Sequence, residues 1–309
     1  MDLNSDATLP TRKKFSVEKS KARLGVLFVS PAIAIIGFII LYPLLNTLVS
    51  GFYNENMMRP DAEVRFVGLA NYIYLFQLPL FWRILSNNIL ITVLSVFFQV
   101  VIAMIVALLL NITFAGRGIV RGLNMLPWIT PTYISAFIFV LLLNPSFGII
   151  NQLLMRLGIL DVGFPWLGNT STVIWAVVVA NTWKGMPWVI IVFLSGLQMV
   201  STDHQEAARV DGASKSQEFW RITLPAMKDI VIIAVLLRTI WTFNWFDYIW
   251  LMTAGGPLDR TMTIPIQIYK YAFETYHVGR ASALGGVLFA FLVLFTVVYF
   301  RVLNRKEHV

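Results

Sequence analysis

The sequence predicts an all-α integral membrane protein with six transmembrane helices. Of its 309 residues, 58% are hydrophobic and only 13% are charged, and the mean hydropathy is +0.73. These values are not typical of a water-soluble domain. Because a helix needs about 20 apolar residues to cross a bilayer, six long stretches with few charges indicate six crossings. The chain contains no cysteine, which excludes disulfides and thiolate chemistry.

The six predicted spans can be placed directly on the sequence. They cover residues 24–52, 86–110, 123–143, 172–196, 230–252 and 284–303. The first is too long for a cleavable signal peptide and contains Pro31 and Pro43, so we expect it to remain as a span. Pro131 in span three and Pro187 in span four remove backbone donors, which predicts bends in those helices.

The distribution of basic residues predicts the orientation in the membrane. Most of the 24 Lys and Arg residues lie before span one, between spans two and three, between spans four and five, and after span six. Cytoplasmic segments carry such an excess, so we expect both termini in the cytoplasm, in a bacterial plasma (inner) membrane. The chain then divides into a basic cytoplasmic tail (1–23) and a transmembrane domain (24–309). The net charge of +8 suits the lipid of the cytoplasmic leaflet and requires no nucleic acid.

The loop 201–225 is unusually polar for a connection between two spans. Signals for helices alternate along it with signals for turns: capping-box spacings at Thr202–Gln205 and Ser214–Gln217, a turn glycine at Gly212, and a helix stop at Pro225. The loop is therefore predicted to form a helix, a sharp turn and a second helix on the cytoplasmic side. The alternative is a solvated connection that only joins spans four and five.

This loop resembles the EAA motif of permease subunits in binding-protein-dependent ABC importers. The matching residues are Glu206, Ala207 and Ala208, then Gly212, Ile222, Leu224 and Pro225. Other stretches resemble the sugar-permease branch of that family, which contains the maltose and glycerol-phosphate transporters: FVGLANY (Phe66–Tyr72), NPSFGIINQLL (Asn144–Leu154) and WTFNWFDYIWLMTAGGP (Trp241–Pro257). The resemblance covers nearly everything after Leu24.

The resemblance implies a type I importer half with several partners. These are a second permease subunit, two ATP-binding cassette subunits and a periplasmic or extracellular solute-binding protein. FVGLANY is similar to the first permease of an unlike pair, which implies a heterodimer. The chain itself would be non-enzymatic and hold no cofactor, while ATP and Mg would bind to the partner ATPase. The residues implied in coupling to that ATPase are Glu206, Ala207, Ala208, Arg209, Asp211, Gly212, Leu224 and Pro225.

Polar residues inside two spans form the candidate substrate pathway, because polar side chains are costly in the bilayer and face a bundle interior or a water-filled path. They are Asn181 and Lys184 in span four, and Trp241, Asn244, Trp245, Asp247 and Tyr248 in span five. The spacing of Trp241, Asn244, Trp245 and Tyr248 predicts one helical face. Aromatic rings with amide or carboxylate groups suit a sugar. The alternative is that Lys184, Arg238 and Asp247 pair across helices and only hold the bundle.

Other functions find little support in the sequence. No phosphate-binding loop is present, and no His, Asp or Glu cluster has metal-ligand spacing, so neither ATP hydrolysis nor a metal site is expected. A membrane enzyme would concentrate carboxylates or His at the membrane face, and none are concentrated there. The alternative function is a six-span secondary carrier of a small polar solute, but the threefold repeat of mitochondrial carriers is missing. Which sugar derivative would be transported, neutral or anionic, is left open.

Overall fold

The computed structural model describes residues 12–58 and 63–304 as an assembly of helices. Within these ranges the only bridge between extended segments joins Tyr53 and Phe66. In chain order the helices are α1 (Arg12–Ile36), α2 (Tyr42–Ser50), α3 (Ala70–Gln77), α4 (Pro79–Asn111), α5 (Arg117–Asn124), α6 (Leu126–Ile129), α7 (Thr132–Leu142), α8 (Ile149–Arg156), α9 (Val173–Met199), α10 (Thr202–Val210), α11 (Lys215–Glu218), α12 (Leu224–Ala226), α13 (Lys228–Phe243), α14 (Asp247–Thr253), α15 (Ile264–Tyr269) and α16 (Val278–Asn304). Three π-helical turns continue helices without a break, at Gly37–Leu41, Phe219–Thr223 and Lys270–Glu274.

Four of these helical segments are long and apolar enough to cross a membrane. They are Leu24–Ser50, Pro79–Asn111, Val173–Met199 and Val278–Leu303. Two bent pairs of helices raise the number of candidate spans to six: Arg117–Ile129 with Thr132–Leu142, and Lys228–Phe243 with Asp247–Thr253. The described residues are therefore consistent with the predicted number of crossings, but the third and fifth are not single straight helices.

The predicted third span, 123–143, is broken by 91° between Ile129 and Thr132. Pro131 has no backbone N–H, and the residue before a proline is disfavoured in the α region. Thr130 accordingly has an extended ψ of 128° and Pro131 a ψ of 141°. The sequence predicted a bend here but not one sharp enough to divide the span. Pro187, in contrast, lies inside the continuous helix α9.

The predicted fifth span, 230–252, is also divided. Helix α13 ends at Phe243, α14 begins at Asp247, and the two are bent by 48°. Asn244 closes α13 with its backbone at φ −91° and ψ 4°. The residues between the two helices therefore leave the regular 3.6-residue register on which the predicted polar face depended.

The centre of the bundle is the long contact between α4 and α9. Ala103 and Ala107 of α4 are fully buried, in the same apolar cluster as Val189 and Phe193 of α9. Small residues let two helix backbones approach closely, which is how helices pack where lipid removes the hydrophobic drive for association. This rigid pair supports one side of the functional site.

The first span packs against the rest of the chain mainly near its end, where α2 contacts α16. In the most apolar 18-residue window of Leu24–Ser50, no residue is buried inside the described structure. Its helix begins at Arg12, so the predicted tail 1–23 is helical from that residue onward, and residues 1–11 lie outside the described residues. Lipid or another polypeptide must cover this apolar surface.

Candidate functional site

A cavity of about 530 Å³ lies where the two broken spans meet. Its walls come from the break between α6 and α7, from α9, and from the end of α13 with the residues that follow. The lining residues are Trp128, Ile129, Thr130, Pro131, Thr132, Lys184, Arg238, Trp241, Asn244 and Trp245. Residues at both breaks border this space.

Lys184 stabilises the break in the third span. It is 6% exposed, and its Nζ donates to the carbonyl oxygens of Pro127 at 3.0 Å, Trp128 at 3.3 Å, and Thr130. The last carbonyls of a helix have no partner within that helix and carry a partial negative charge. A cation placed among them replaces the missing donors, so Lys184 holds α6 in its bent position.

Arg238, on α13, also lines the cavity and is only 2% exposed. Its Nε donates to Oε1 of Gln99 at 2.8 Å, and its Nη2 lies 3.5 Å from the hydroxyl of Thr242. The guanidinium carbon lies 5.9 Å from the ring centroids of both Trp241 and Trp245, within the range of a cation–π interaction. These contacts fix the guanidinium against the aromatic wall of the cavity.

Two buried amide side chains, Gln99 and Asn181, position Arg238 from the side away from the cavity lining. Gln99, on α4, is fully buried, and its Nε2 donates to the backbone oxygen of Asn181 at 3.0 Å and to its Oδ1 at 3.1 Å. The same side chain accepts from Arg238, so its orientation is set at both ends. Asn181 therefore acts on the cavity through Gln99 and does not line it.

The predicted polar face of span five is wrong as a single helical face. Trp241, Asn244 and Trp245 line the cavity. Tyr248 does not, because the break turns it inward, where it is fully buried and its hydroxyl donates to the carbonyl of Ala180 at 3.3 Å. Asp247 is also absent from the lining, and its Oδ1 accepts from the N–H of Tyr248 at 3.0 Å.

The alternative, that Lys184, Arg238 and Asp247 pair across helices, finds no support as direct ion pairs. Among the described residues, no salt bridge joins any two of them. Both cations are instead held by neutral oxygens, from backbone carbonyls in one case and from a glutamine in the other.

Sequence reasoning missed two components of this site. Trp128, which is not among the predicted pathway residues, lines the cavity with its ring centroid 6.4 Å from that of Trp241. Gln99 gave one available signal, a lone amide in the middle of an apolar span, which membrane helices retain only where a partner satisfies it.

The loop 201–225 forms the two helices that the sequence predicted. Gly212 has φ +83°, the left-handed conformation expected between them, and Ser214 and Gln217 form the capping box that starts α11. The first predicted capping box is wrong, because the N-cap of α10 is Ser201 and no side chain caps it. Pro225 does not end the second helix, which passes through a π-helical turn and continues to Ala226.

An ion pair holds the two helices of this loop together. Arg209 of α10 donates from Nε and Nη2 to the two carboxylate oxygens of Glu218, both at 2.9 Å. These hydrogen bonds hold the pKa of Glu218 below its usual range and raise the pKa of Arg209. The bidentate geometry fixes the angle between the helices. Glu206, Ala207 and Val210 remain exposed, and Val210 is 86% exposed.

Comparison with known proteins identifies this architecture. Residues 99–308 match the model of the binding-protein-dependent transport system inner membrane component family. The chain belongs to this permease family. The permease is 34% identical over 282 residues to the trehalose/maltose transport system permease protein MalF of Thermococcus litoralis, covering 91% of this chain and 94% of that protein. It is 31% identical to the sulfoquinovosyl glycerol transport system permease protein SmoG of Agrobacterium fabrum, with 92% and 91% covered.

Solved structures show the same fold. The permease superimposes with a TM-score of 0.77 and 22% identity on a chain of a bacterial ABC transporter involved in the import of the acidic polysaccharide alginate, covering 94% of this chain and 99% of the other. A bacterial alginate ABC transporter in complex with an alginate pentasaccharide-bound periplasmic protein gives 0.75 and 25% identity, covering 90% and 94%. The predicted fold class is thereby confirmed.

Family membership also settles the class of activity. Permease subunits of ABC importers are non-catalytic and membrane-embedded, and the ATPase is a partner subunit. The membership favours the importer interpretation over the six-span secondary carrier.

Proposed function

We propose that this permease conducts a carbohydrate or a carbohydrate derivative across the plasma membrane, by a pathway that includes the cavity between the broken spans. The cavity is the observation on which the proposal depends. Its Trp128, Trp241 and Trp245 rings offer flat apolar faces to the C–H side of a sugar, and Asn244 offers an amide for hydroxyls. The named relatives include transporters of trehalose and maltose and of sulfoquinovosyl glycerol, which supports the carbohydrate class.

The permease works with three kinds of partner in this proposal. A second, unlike permease completes the pathway, two ATP-binding cassette subunits bind ATP and Mg in the cytoplasm, and a soluble binding protein delivers the substrate. The uncovered apolar surface of Leu24–Ser50 supports a second membrane partner, beside lipid. The neighbouring alginate transporter bound to a periplasmic protein supports a receptor. Both termini are cytoplasmic, as the distribution of basic residues predicts.

The loop 201–225 is the proposed coupling element. The exposed Glu206 and Asp211 offer charge to the ATPase, while Ala207 and the partly exposed Ala208 allow a close approach. Arg209 is among the residues implied in coupling, but its guanidinium is bound to Glu218, so we assign it to stiffening the loop. Gly212 sets the turn, and Leu224 and Pro225 lie at the root of the loop, next to α13.

A stiff loop explains how ATP can drive transport in this proposal. Closure of the ATPase subunits on nucleotide draws the docked loops together, and the motion passes through α12 into α13. The spans then rock as rigid bodies between inward-facing and outward-facing arrangements. A flexible loop would absorb the same displacement without moving the spans.

The test is ATP-driven uptake in proteoliposomes that contain the permease, its partner permease and the ATPase subunits, with the binding protein outside. The saccharide is chosen by a thermal-shift screen of the binding protein. Trp245→Ala is expected to lower uptake about tenfold by removing one stacking surface, with assembly unchanged. Trp175→Ala is the matched control, because Trp175 is 50% exposed and lies outside the cavity. Uptake without ATPase subunits, or unchanged uptake in Trp245→Ala, would contradict the proposal.

A further inference from the structure

The charge of the cavity is one-sided. Lys184 and Arg238 both line it, and its lining contains no acidic residue. Neither cation forms a salt bridge with any described residue. Asp247, the acidic residue close to Trp245 in the sequence, points its Oδ1 at the N–H of Tyr248. Two positive charges thus face one cavity, and no described carboxylate forms a salt bridge with either of them.

The two cations differ in what they can still bind. Lys184 has three N–H donors, and three backbone carbonyls already accept hydrogen bonds from its Nζ. Its role toward a ligand is therefore electrostatic. Arg238 has five N–H donors, of which one is used by Gln99 and one points to Thr242 at a long 3.5 Å. No described residue accepts a hydrogen bond from its Nη1, although the side chain is 98% buried and lines the cavity.

The rest of the structure holds that guanidinium in place. Gln99, itself oriented by Asn181, fixes Nε, and the rings of Trp241 and Trp245 lie beside Cζ. An arginine held in this way presents Nη1 in a fixed position, and its charged N–H groups bind the oxygens of a carboxylate, sulfonate or phosphate more strongly than a neutral hydroxyl. A buried cation without a counter-ion is costly in a membrane protein, and a ligand anion would offset that cost.

We propose that the cavity selects a carbohydrate that bears a negatively charged oxyanion group, which accepts hydrogen bonds from Nη1 of Arg238 while the sugar ring lies on Trp241 and Trp245. This inference rests on the proposed function and narrows its substrate class. Lys184 adds a second positive charge to the lining. Gln99 and Asn181 are positioning residues, since they reach the ligand only through Arg238.

The experiment compares sugars that differ only in a carboxylate. The intact importer, assembled from both permeases and the ATPase subunits, is placed in lipid nanodiscs without the binding protein, so that receptor selectivity plays no part. It is titrated with glucuronate against glucose and with galacturonate against galactose, and the change in tryptophan fluorescence is measured. Three of the ten tryptophans line the cavity, so binding there should alter the signal.

We expect the uronates to bind at least about tenfold more tightly than their neutral counterparts, the difference that one charge-assisted hydrogen bond provides. The preference should disappear in Arg238→Gln, be partly kept in Arg238→Lys, and persist in Arg83→Gln, a control at an exposed arginine of α4. Rising salt should weaken uronate binding wherever the preference is kept, and have little effect in Arg238→Gln. Arg238→Lys keeps the buried charge, so it remains informative if Arg238→Gln does not assemble.

Equal affinities for charged and neutral sugars, or a preference that survives in Arg238→Gln, would overturn the inference. So would the absence of any saturable signal. If the complex takes up only neutral sugars with ATP, the inferred selectivity for anionic sugars is wrong, but the proposed importer function remains supported. Absence of all ATP-driven carbohydrate uptake would remove the proposed function itself.

Discussion

The guanidinium of Arg238 fills the space in which a Cβ atom of Gly185 would lie. Such an atom would overlap Nη2, come within 2.8 Å of Cζ, and lie 2.6 Å from Nε2 of Gln99. Real Cβ atoms do not approach other heavy atoms so closely, so α9 admits the arginine only because residue 185 is glycine. The missing side chain at Gly185 of α9 therefore sets where the guanidinium of Arg238 lies in the cavity.

Gly185→Ala is predicted to displace Arg238 and lower carbohydrate uptake about tenfold. Overpacking a buried site costs about 1–3 kcal/mol, and the guanidinium, as the end of a flexible side chain, is the group most able to move. The measurement is uptake in proteoliposomes together with the thermal unfolding temperature of the purified complex.

Gly25→Ala is the control for this substitution, because nothing lies within 4 Å of a Cβ built there. It should leave both uptake and unfolding unchanged. If Gly185→Ala transports as well as Gly25→Ala, the tight fit between Gly185 and Arg238 has no functional consequence.

Lys184→Met is predicted to destabilise the break in the third span. The substitution leaves the carbonyls of Pro127, Trp128 and Thr130 without their donor, at a cost of about 2–4 kcal/mol for buried unsatisfied acceptors. The unfolding temperature of the detergent-solubilised protein should fall by several degrees. Lys184→Arg should recover part of the loss, because it restores a cation. Lys215→Met, at an exposed position, should not lower the unfolding temperature, and an equal fall in both methionine variants would contradict the assignment.

The sequence could predict the spans and the loop because both depend on local signals. Apolar runs mark the crossings, and Gly212 with the Ser214–Gln217 capping box marks the turn and the second helix. The polar residues of spans four and five were identified for the same reason, since Lys184 and Asn244 stand out in apolar surroundings. Local periodicity was enough for these features.

The breaks and the positioning network could not be predicted, because they depend on contacts distant in the sequence. The end of α13 at Phe243 has no proline to mark it, so a continuous helix was the natural expectation, and Tyr248 was assigned to the wrong side. The pairing of Gln99 with Arg238 joins residues 139 positions apart. No pattern within either helix indicates its partner.

The ion pair between Arg209 and Glu218 is predicted to matter for coupling. Either Arg209→Gln or Glu218→Gln should lower the amount of substrate transported per ATP hydrolysed, since each frees α10 from α11. The double variant should transport as much substrate per ATP as each single variant, because the two residues contribute one shared interaction. Fully additive losses would show that Arg209 has an independent role, such as contact with the ATPase.

The same ion pair predicts a pH dependence for the loop. The pKa of Glu218 is lowered by its hydrogen bonds from Arg209, so the stabilisation is present above the unfolded value of about 4.3 and is lost as the pH falls through the folded value. Hydrogen-exchange protection of α10 and α11 should therefore be constant between about pH 6 and 8 and decline only in acid. Glu218→Gln should show low protection at neutral pH, and a decline in the wild type already near pH 6 would contradict this.

The orientation of the loop is predicted to be cytoplasmic, and the absence of cysteine allows a direct test. Val210→Cys places a single thiol at a position that is 86% exposed, and Val162→Cys places one at a 75% exposed position between α8 and α9. A membrane-impermeant maleimide should label Val210→Cys only in inside-out vesicles and Val162→Cys only in right-side-out vesicles. Assembly with the ATPase subunits should protect Val210→Cys alone, because only the loop 201–225 is proposed to dock. Labelling of Val210→Cys from the outside would place the loop on the wrong side for an ATPase and remove the coupling proposal.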